Sequence, residues 1–469
     1  MKYISTRGQA PQLGFCDAVM AGLASDGGLY LPQSWPQIKK GQMAEFANQP
    51  YAKTAFEIIA PFVDGEITNT DLQKMIEQAY SAFPHPSVAP LVEIEPGHFV
   101  LELFHGPTLA FKDIAMQLLA RIVDHILAKR GQRATIIGAT SGDTGSAAIE
   151  AFRNRGNTDI FILHPNGRVS EVQRRQMTTV LDKNVHNIAL DGSFDDCQKI
   201  VKDIFLDAEF RNSVQLSGVN SINWGRIVSQ IVYYFTSAIA LGAPHRSVSF
   251  TVPTGNFGDI FAGYAAKEMG LPIDRLVIAT NNNDILRRAL TDGSYQTSVV
   301  QPTHSPSMDI QVSSNFERLL FEAGARDGGK LRDQMNALSQ SGSFEIAPDT
   351  LKNINAQFDV GSASEEQTVA AIKSSYGQSG YLLDPHSAVG VHVARTFIAK
   401  NNRLSKNSPM ITLATAHPAK FPGAVKKASG VYPNLPPRLA DIYEKPERCE
   451  LLDNDSEIIK KYIRSHVAA

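Results

Sequence analysis

The chain of 469 residues is 43% hydrophobic and 20% charged and carries a net charge of −2. That length calls for two or three domains rather than one small core, and the composition excludes a disordered chain. A near-zero charge without a basic block excludes nucleic acid as a principal partner.

Cys16, Cys197 and Cys449 are isolated, with no CxxC pairing. Neither a disulfide framework nor a metal site is expected, and the pattern fits a reducing cytoplasm. The N-terminus has no apolar run, so no signal peptide is expected. The most apolar long segment, 227–243, is interrupted by Ser229, Gln230 and Ser237 and stops at Pro244. It reads as a buried helix, and no membrane partner is expected.

Residues 1–100 read as a mixed, mainly helical N-terminal domain. A short helical pattern over 15–23 is followed by a glycine turn at 26–28, a short strand and helical periodicity over 54–82. Arg7 reads as a surface charge on a loop. A proline-rich stretch over 84–90 marks the boundary.

The next stretch, 103–113, runs Leu-Phe-His-Gly-Pro-Thr-Leu-Ala-Phe-Lys-Asp. A stripe with helical spacing follows it: Ile114/Ala115, Leu118/Leu119, Ile122/Val123 and Ile126/Leu127. Lys112 therefore falls in the first turn of a buried helix. The positive end of the helix dipole disfavours a second positive charge there. Burial would add to that effect, lower the lysine's pKa and make it a better nucleophile. A helix-start lysine is more often a solvated surface group, so position alone does not decide.

From 100 to about 290 strand and helix alternate. Apolar strands are predicted at 134–139, 159–163, 185–190, 248–252 and 276–280, with helices between them. This pattern predicts an α/β fold of parallel sheets flanked by helices, with ligands at the carboxyl ends of the strands. Residues 294–316 are polar and irregular, a surface loop or a covering loop. Residues 330–380 read as a helical, polar insertion. A final core strand, 409–416, ends at Thr415-Ala-His-Pro418. The catalytic region thus spans 101–430, and 431–469 reads as a C-terminal extension, proline-rich and then helical. No internal repeat stands out.

Two strand-to-helix turns are rich in small residues. Thr140-Ser-Gly-Asp-Thr-Gly145 and Thr254-Gly-Asn-Phe-Gly-Asp259 both expose backbone N–H groups at a helix start, a ready anion site. Neither matches a P-loop or a dinucleotide fingerprint. At 220–226, Asn-Ser-Ile-Asn-Trp-Gly-Arg offers donors from Asn220 and Ser221 and a planar fork from Arg226 suited to a phosphate dianion. Each feature alone fits a structural turn or cap equally well. Together, one buried-side lysine, two anion-grade turns and a hydroxyl at Thr415 suit a phosphorylated aldehyde cofactor, pyridoxal phosphate.

At this point the chain resembles the threonine synthase family of fold type II pyridoxal phosphate enzymes. The resemblance spans nearly the whole chain. It rests on the segments 3–8, 26–30, 104–113, 139–145, 220–226, 254–259, 306–310, 314–318, 384–386 and 414–418. It implies a tryptophan synthase β-like fold and conversion of O-phospho-L-homoserine and water into L-threonine and phosphate. It implies that Lys112 carries the cofactor aldehyde, that Gly255, Asn256, Phe257, Gly258 and Asp259 form the cofactor's phosphate cup, and that Thr415 faces the ring nitrogen. Ser141, Asp143 and Thr144 would lie over the cofactor face and hold the substrate carboxylate or the ring hydroxyl. Asn220, Ser221 and Arg226 would hold the substrate's own phosphate. At Asp143 the chain departs from the many fold type II enzymes that carry asparagine there. The polar region near 330–380 suggests the longer, yeast-like branch, and with it a monomer. The rivals are a β-eliminating or β-replacing enzyme of the same fold acting on serine or threonine derivatives, which needs no second phosphate site, and a non-catalytic protein that binds a phosphorylated metabolite or serves as a scaffold.

Overall fold

The computed structural model describes residues 1–218, 220–400 and 408–467. Two sheets carry the site. The larger has six strands, in the order Phe358–Ser362, Ile273–Thr280, Val248–Pro253, Met410–Ala414, His98–Glu102 and Leu91–Glu95. All neighbours are parallel except the last pair, a hairpin. Val248–Pro253 and Met410–Ala414 are buried at every position. Helices cover both faces there, which is why these strands read as near-continuous apolar runs. The second sheet is wholly parallel, in the order Glu450–Leu452, Val185–Leu190, Thr158–Pro165, Ala134–Ala139 and Leu216–Ser217. The predicted parallel α/β architecture is the one observed.

The N-terminal residues share a core with the helix Trp224–Ala240. The Trp224 ring lies 5.9 Å from the Tyr3 ring and 5.7 Å from the Phe62 ring. Asn223, the N-cap of that helix, accepts from the Gly225 amide and donates to the Val19 carbonyl at 2.8 Å. The helix start that bears Arg226 is thereby fixed from two sides. Arg7, expected to be a free surface charge, instead makes a two-pronged pair with Glu317, both contacts 3.0 Å. Its partner lies 310 residues away, so nothing local announces it.

Three expectations need correction. The boundary read at 100 falls inside a strand of the six-stranded sheet, because Leu91–Glu95 and His98–Glu102 form a hairpin there. The 330–380 segment is not simply a helical insertion: Phe358–Ser362 closes one edge of the same sheet. An edge strand pairs on one side only. This one is half-exposed beyond Phe358, so its sequence, Phe-Asp-Val-Gly-Ser, lacks the apolar run of a central strand. The C-terminal residues likewise contribute a strand, Glu450–Leu452. The helix Ser456–His466 then seats Ile459 and Ile463 in the core of the second sheet.

Candidate active site

The carboxyl ends of three neighbouring strands converge on one cavity of about 420 Å³. After the strand His98–Glu102, the chain runs back along residues 414–416. The Leu103 amide donates to the Ala414 carbonyl at 3.0 Å, and the Phe111 amide donates to the Thr415 carbonyl at 2.9 Å. Asp113 locks the turn between them, accepting from the Thr108 amide at 2.8 Å and its hydroxyl at 2.6 Å. Gly106 is required there, because a Cβ would stand 2.4 Å from the Asp113 Cβ. Lys112 opens the helix Lys112–Arg130 beside Thr415, and only 7% of it is exposed. The surface-lysine alternative is therefore wrong for this residue. Its Nζ lies 3.4 Å from Asp143 Oδ2 and 5.1 Å from the Phe111 ring centre. Burial lowers its pKa. Lys420 and Arg226 push the same way and Asp143 opposes, leaving a net depression that favours the neutral, nucleophilic amine.

On the far side of Thr415 lies the glycine turn between Val248–Pro253 and the helix Gly258–Glu268. Phe257 adopts a left-handed backbone, φ 65°, which costs a non-glycine residue about 1–2 kcal/mol. Its ring is held against Phe316 and Phe358, with centres 5.4 and 6.1 Å apart, and this packing offsets the strain. The Gly255 carbonyl accepts from Ser313 Oγ at 2.6 Å. The Asn256 carbonyl accepts from the Asn315 amide at 3.0 Å and from its side chain at 2.9 Å. With the carbonyls committed to residues 313–315, the first-turn amides form a concave anion site. The cradle is close-fitting: a Cβ on Gly255 would stand 2.7 Å from the Ser307 carbonyl. The polar stretch 294–316 is thus a covering segment as well as a surface loop.

Asp259 contributes differently from the expectation. Its Oδ1 accepts from the hydroxyls of Tyr233 and Tyr234, and its Oδ2 is buried without a hydrogen-bond partner among the described residues. What it offers an anion is its backbone amide. Burial pushes its carboxyl up to about 7, against weaker lowering by the two tyrosines. A carboxyl raised on folding from about 3.9 contributes most stability below that value and loses it as pH rises through the folded pKa. Asp259→Asn should therefore gain stability over the parent, without cofactor, by on the order of 2–3 kcal/mol between about pH 5 and pH 8. Denaturant melts at the two pH values measure the difference; a constant offset would contradict it.

Arg226 lines the same cavity with Asn220 and Ser221. It is 4% exposed, and burial lowers its guanidinium to about 10. A guanidinium this deep favours a dianion as partner. Thr144 also lines the cavity. Asp143 meets Lys112 from behind it, whereas Ser141, in the same turn, is half-buried and stands outside the lining. Burial alone would raise the Asp143 carboxyl, but Lys420, Lys112 and the Gln173 amide outweigh burial and hold it well below the usual carboxylate range.

Thr415 is fixed by a network the sequence does not announce. Its amide donates to Ser387 Oγ at 3.1 Å, and Ser387 donates to Asp384. His386 Nδ1 lies 2.9 Å from Asp384 Oδ1, and its Nε2 accepts from the Ser307 amide at 3.1 Å. That pairing sets the tautomer with the proton on Nδ1. The structure thus brings Lys112, Thr144, Asn220, Ser221, Arg226, Gly255–Asp259 and Thr415 to one cavity. It adds Gln230, Ser307 and His386 to the walls, and Gln173 and Lys420 behind Asp143. Among these, Ser307 and His386 fall inside segments the resemblance rests on; the others carry no sequence signal. A reactive amine, a cup for one phosphate and a hydroxyl at the strand end fit pyridoxal phosphate, and Arg226 leaves room for a second anion.

Comparison with known proteins agrees. Residues 2–80 match the family model for the threonine synthase N terminus, 83–333 the model for pyridoxal-phosphate dependent enzymes, and 387–463 the model for the threonine synthase C-terminal region. The chain is 53% identical to a threonine synthase of Pseudomonas aeruginosa over 99% of this chain and 98% of that protein. It superposes on the crystal structure of PLP-bound threonine synthase from Brucella melitensis with a TM-score of 0.97, at 57% identity and 100% coverage of both chains. The yeast threonine synthase structure gives a TM-score of 0.94 at 40% identity, covering 99% of this chain and 98% of that one.

Proposed function

The chain belongs to the threonine synthase family, and from that premise we propose how its residues divide the work. It is a pyridoxal-phosphate-dependent lyase that converts O-phospho-L-homoserine and water into L-threonine and phosphate, the last step of threonine biosynthesis. The observation that carries the assignment of roles is the pair of anion sites flanking one buried lysine: the cup at 255–258 and the guanidinium of Arg226.

Bound in the cavity, pyridoxal phosphate supplies an electron sink that stabilises negative charge at the substrate's reacting carbons. Lys112 holds its aldehyde. The amides of Gly255, Asn256, Phe257, Gly258 and Asp259 would hold its phosphate, and the Thr415 hydroxyl would face its ring nitrogen. A hydroxyl there, unlike a carboxylate, would leave that nitrogen unprotonated. Asp143 stands by the ring hydroxyl. Ser141 and Thr144 sit toward the substrate carboxylate; Thr144 is the better placed of the two. Arg226, with Asn220 and Ser221, grips the phosphate ester of the substrate and stabilises the charge that grows on it as it leaves.

Released from the aldehyde, Lys112 would be a free amine within reach of the substrate's carbons. Its Nζ would take a proton from the α-carbon and one from the β-carbon as the γ-phosphate departs, and would return protons to the γ-carbon and the α-carbon, while water gives its hydroxyl to the β-carbon and its proton to the phosphate. Burial and the cations around it lower the pKa of that amine, which eases its release of each proton it takes. A monomer is proposed as the working unit, in keeping with the longer, yeast-like branch that the chain resembles. Three unpaired cysteines fit the cytoplasm.

The test is a side-by-side assay of phosphate released from O-phospho-L-homoserine and ammonia released from L-serine and L-threonine. Phosphate release should dominate. Preferential ammonia release would mean a β-eliminating enzyme and would remove the role given to Arg226.

A further inference from the structure

The oxygens of Asp143 face two lysines. Oδ2 meets Lys112 at 3.4 Å, and Oδ1 meets Lys420 at 2.8 Å and the Gln173 amide nitrogen at 2.7 Å. Lys420 is 0% exposed and sits on the short turn Pro418–Lys420, just past the strand end that carries Thr415. Its Nζ also donates to the Thr108 carbonyl at 2.7 Å. Thr108 belongs to the loop that delivers Lys112 and is itself tied to Asp113. One ammonium therefore staples three segments: the loop before Lys112, the turn bearing Asp143 and the strand end bearing Thr415.

We propose that Lys420 is a positioning residue of the reaction, a permanent cationic partner that keeps Asp143 ionised and fixed against Lys112 from outside the substrate cavity. A buried charge persists only when paired. Lys112 cannot be the permanent partner, because on the roles proposed above its amine is consumed by the cofactor and then cycles through proton transfers. Lys420 has no such duty, and its full burial and its bond to a backbone carbonyl fix its place. This explains how an aspartate stands where many enzymes of this fold carry asparagine. An unpaired aspartate would hold a proton on Lys112 or take one itself. Paired with Lys420 it remains a fixed acceptor beside the cofactor, and its charge is shared between two cations.

Other charged groups act on the cluster. Arg226 acts on Lys112 and Asp113 on Lys420 through charge, with Glu150 and Arg438 acting on Asp113. None of them contacts Asp143; its near partners are the two lysines and Gln173.

The inference takes Lys112 as the cofactor-bearing lysine, so its test reads Schiff-base formation and not turnover alone. Full-length apoprotein is mixed with pyridoxal phosphate across a pH series, and the rate of growth of the Schiff-base band gives the midpoint at which Lys112 becomes neutral. In Lys420→Gln the Asp143 charge falls on Lys112 alone and the repulsion from Lys420 is gone. Both changes favour the protonated amine, so the midpoint should rise by about one to three pH units, the effect of one close charge. Asp143→Asn leaves Lys420 uncompensated, and the midpoint should fall. Lys420→Arg keeps the charge and should keep the midpoint. If Lys420→Gln does not fold, the double variant Asp143→Asn/Lys420→Gln, which removes both charges, should place the midpoint between those of the parent and Asp143→Asn. An unmoved midpoint in Lys420→Gln, or a double variant identical to Asp143→Asn, overturns the proposal. Absence of any Schiff-base band in the parent protein would instead overturn the role of Lys112 itself.

Discussion

Lys112→Ala abolishes the Schiff-base absorbance of the protein and lowers kcat by more than about 10³-fold; general base catalysis alone is worth roughly 10²–10⁴. Alanine removes the group that holds the aldehyde and the group that moves the protons, so the two losses fall together. The fold should tolerate the change, because removing a buried amine leaves Asp143 paired with Lys420 and Gln173. Absorbance and phosphate release on the same preparation provide the check. A retained Schiff-base band, or turnover within tenfold of the parent, would contradict the assignment.

The second large effect is selective. Arg226→Ala should lower kcat/KM for O-phospho-L-homoserine by about 10²–10³, within the range of about 2–5 kcal/mol for truncating one partner of a buried charge pair. The affinity for pyridoxal phosphate should change far less, because on the roles proposed above the cofactor's phosphate is held by the 255–258 cup and not by Arg226. Arg226 is on the helix Trp224–Ala240, whose start is fixed by Asn223 and by ring packing around Trp224. Truncation at Cβ leaves those contacts in place. Titration of the apoprotein with cofactor and steady-state kinetics with substrate separate the two affinities. Equal losses in both would mean that Arg226 serves the cofactor phosphate and that the two-site account is wrong.

Much of this site is legible in the amino-acid sequence. The strands that bear it are central and doubly covered, so their apolar runs stand out, and the turns after them carry glycines for steric reasons, as the 2.7 Å approach at Gly255 shows. What the sequence hides depends on non-local approach. Lys420 lies between Pro418 and Pro422 on a single short turn, without periodicity. Its burial follows only when Thr108, 312 residues earlier, comes to meet it. Gln173 reads as an ordinary polar position near a helix start until Asp143 is placed beside it. The edge strand Phe358–Ser362 is lost in a polar stretch because it has one neighbour and little burial. The hairpin ending at Glu102 differs, because its signals are local. The alternation Leu-Val-Glu-Ile-Glu and the turn at Gly97, φ 73°, both mark a hairpin at 91–102, where a domain boundary was expected.

The question raised by Asp143 has a physical answer in the structure. An aspartate at this position is compatible with a buried lysine beside it because a second lysine stands behind it. On the roles proposed above, two lysines have different duties: Lys112 reacts and Lys420 keeps the field constant while it does.

Product stoichiometry shows whether this cavity turns a phosphorylated amino acid and water into a β-hydroxy amino acid and free phosphate. Cofactor-stripped protein is given O-phospho-L-homoserine with and without added pyridoxal phosphate, and phosphate and L-threonine are measured in the same samples. The account predicts equal amounts of the two products, formed only when the cofactor is present. Phosphate released without threonine, or release that ignores the cofactor, would contradict it.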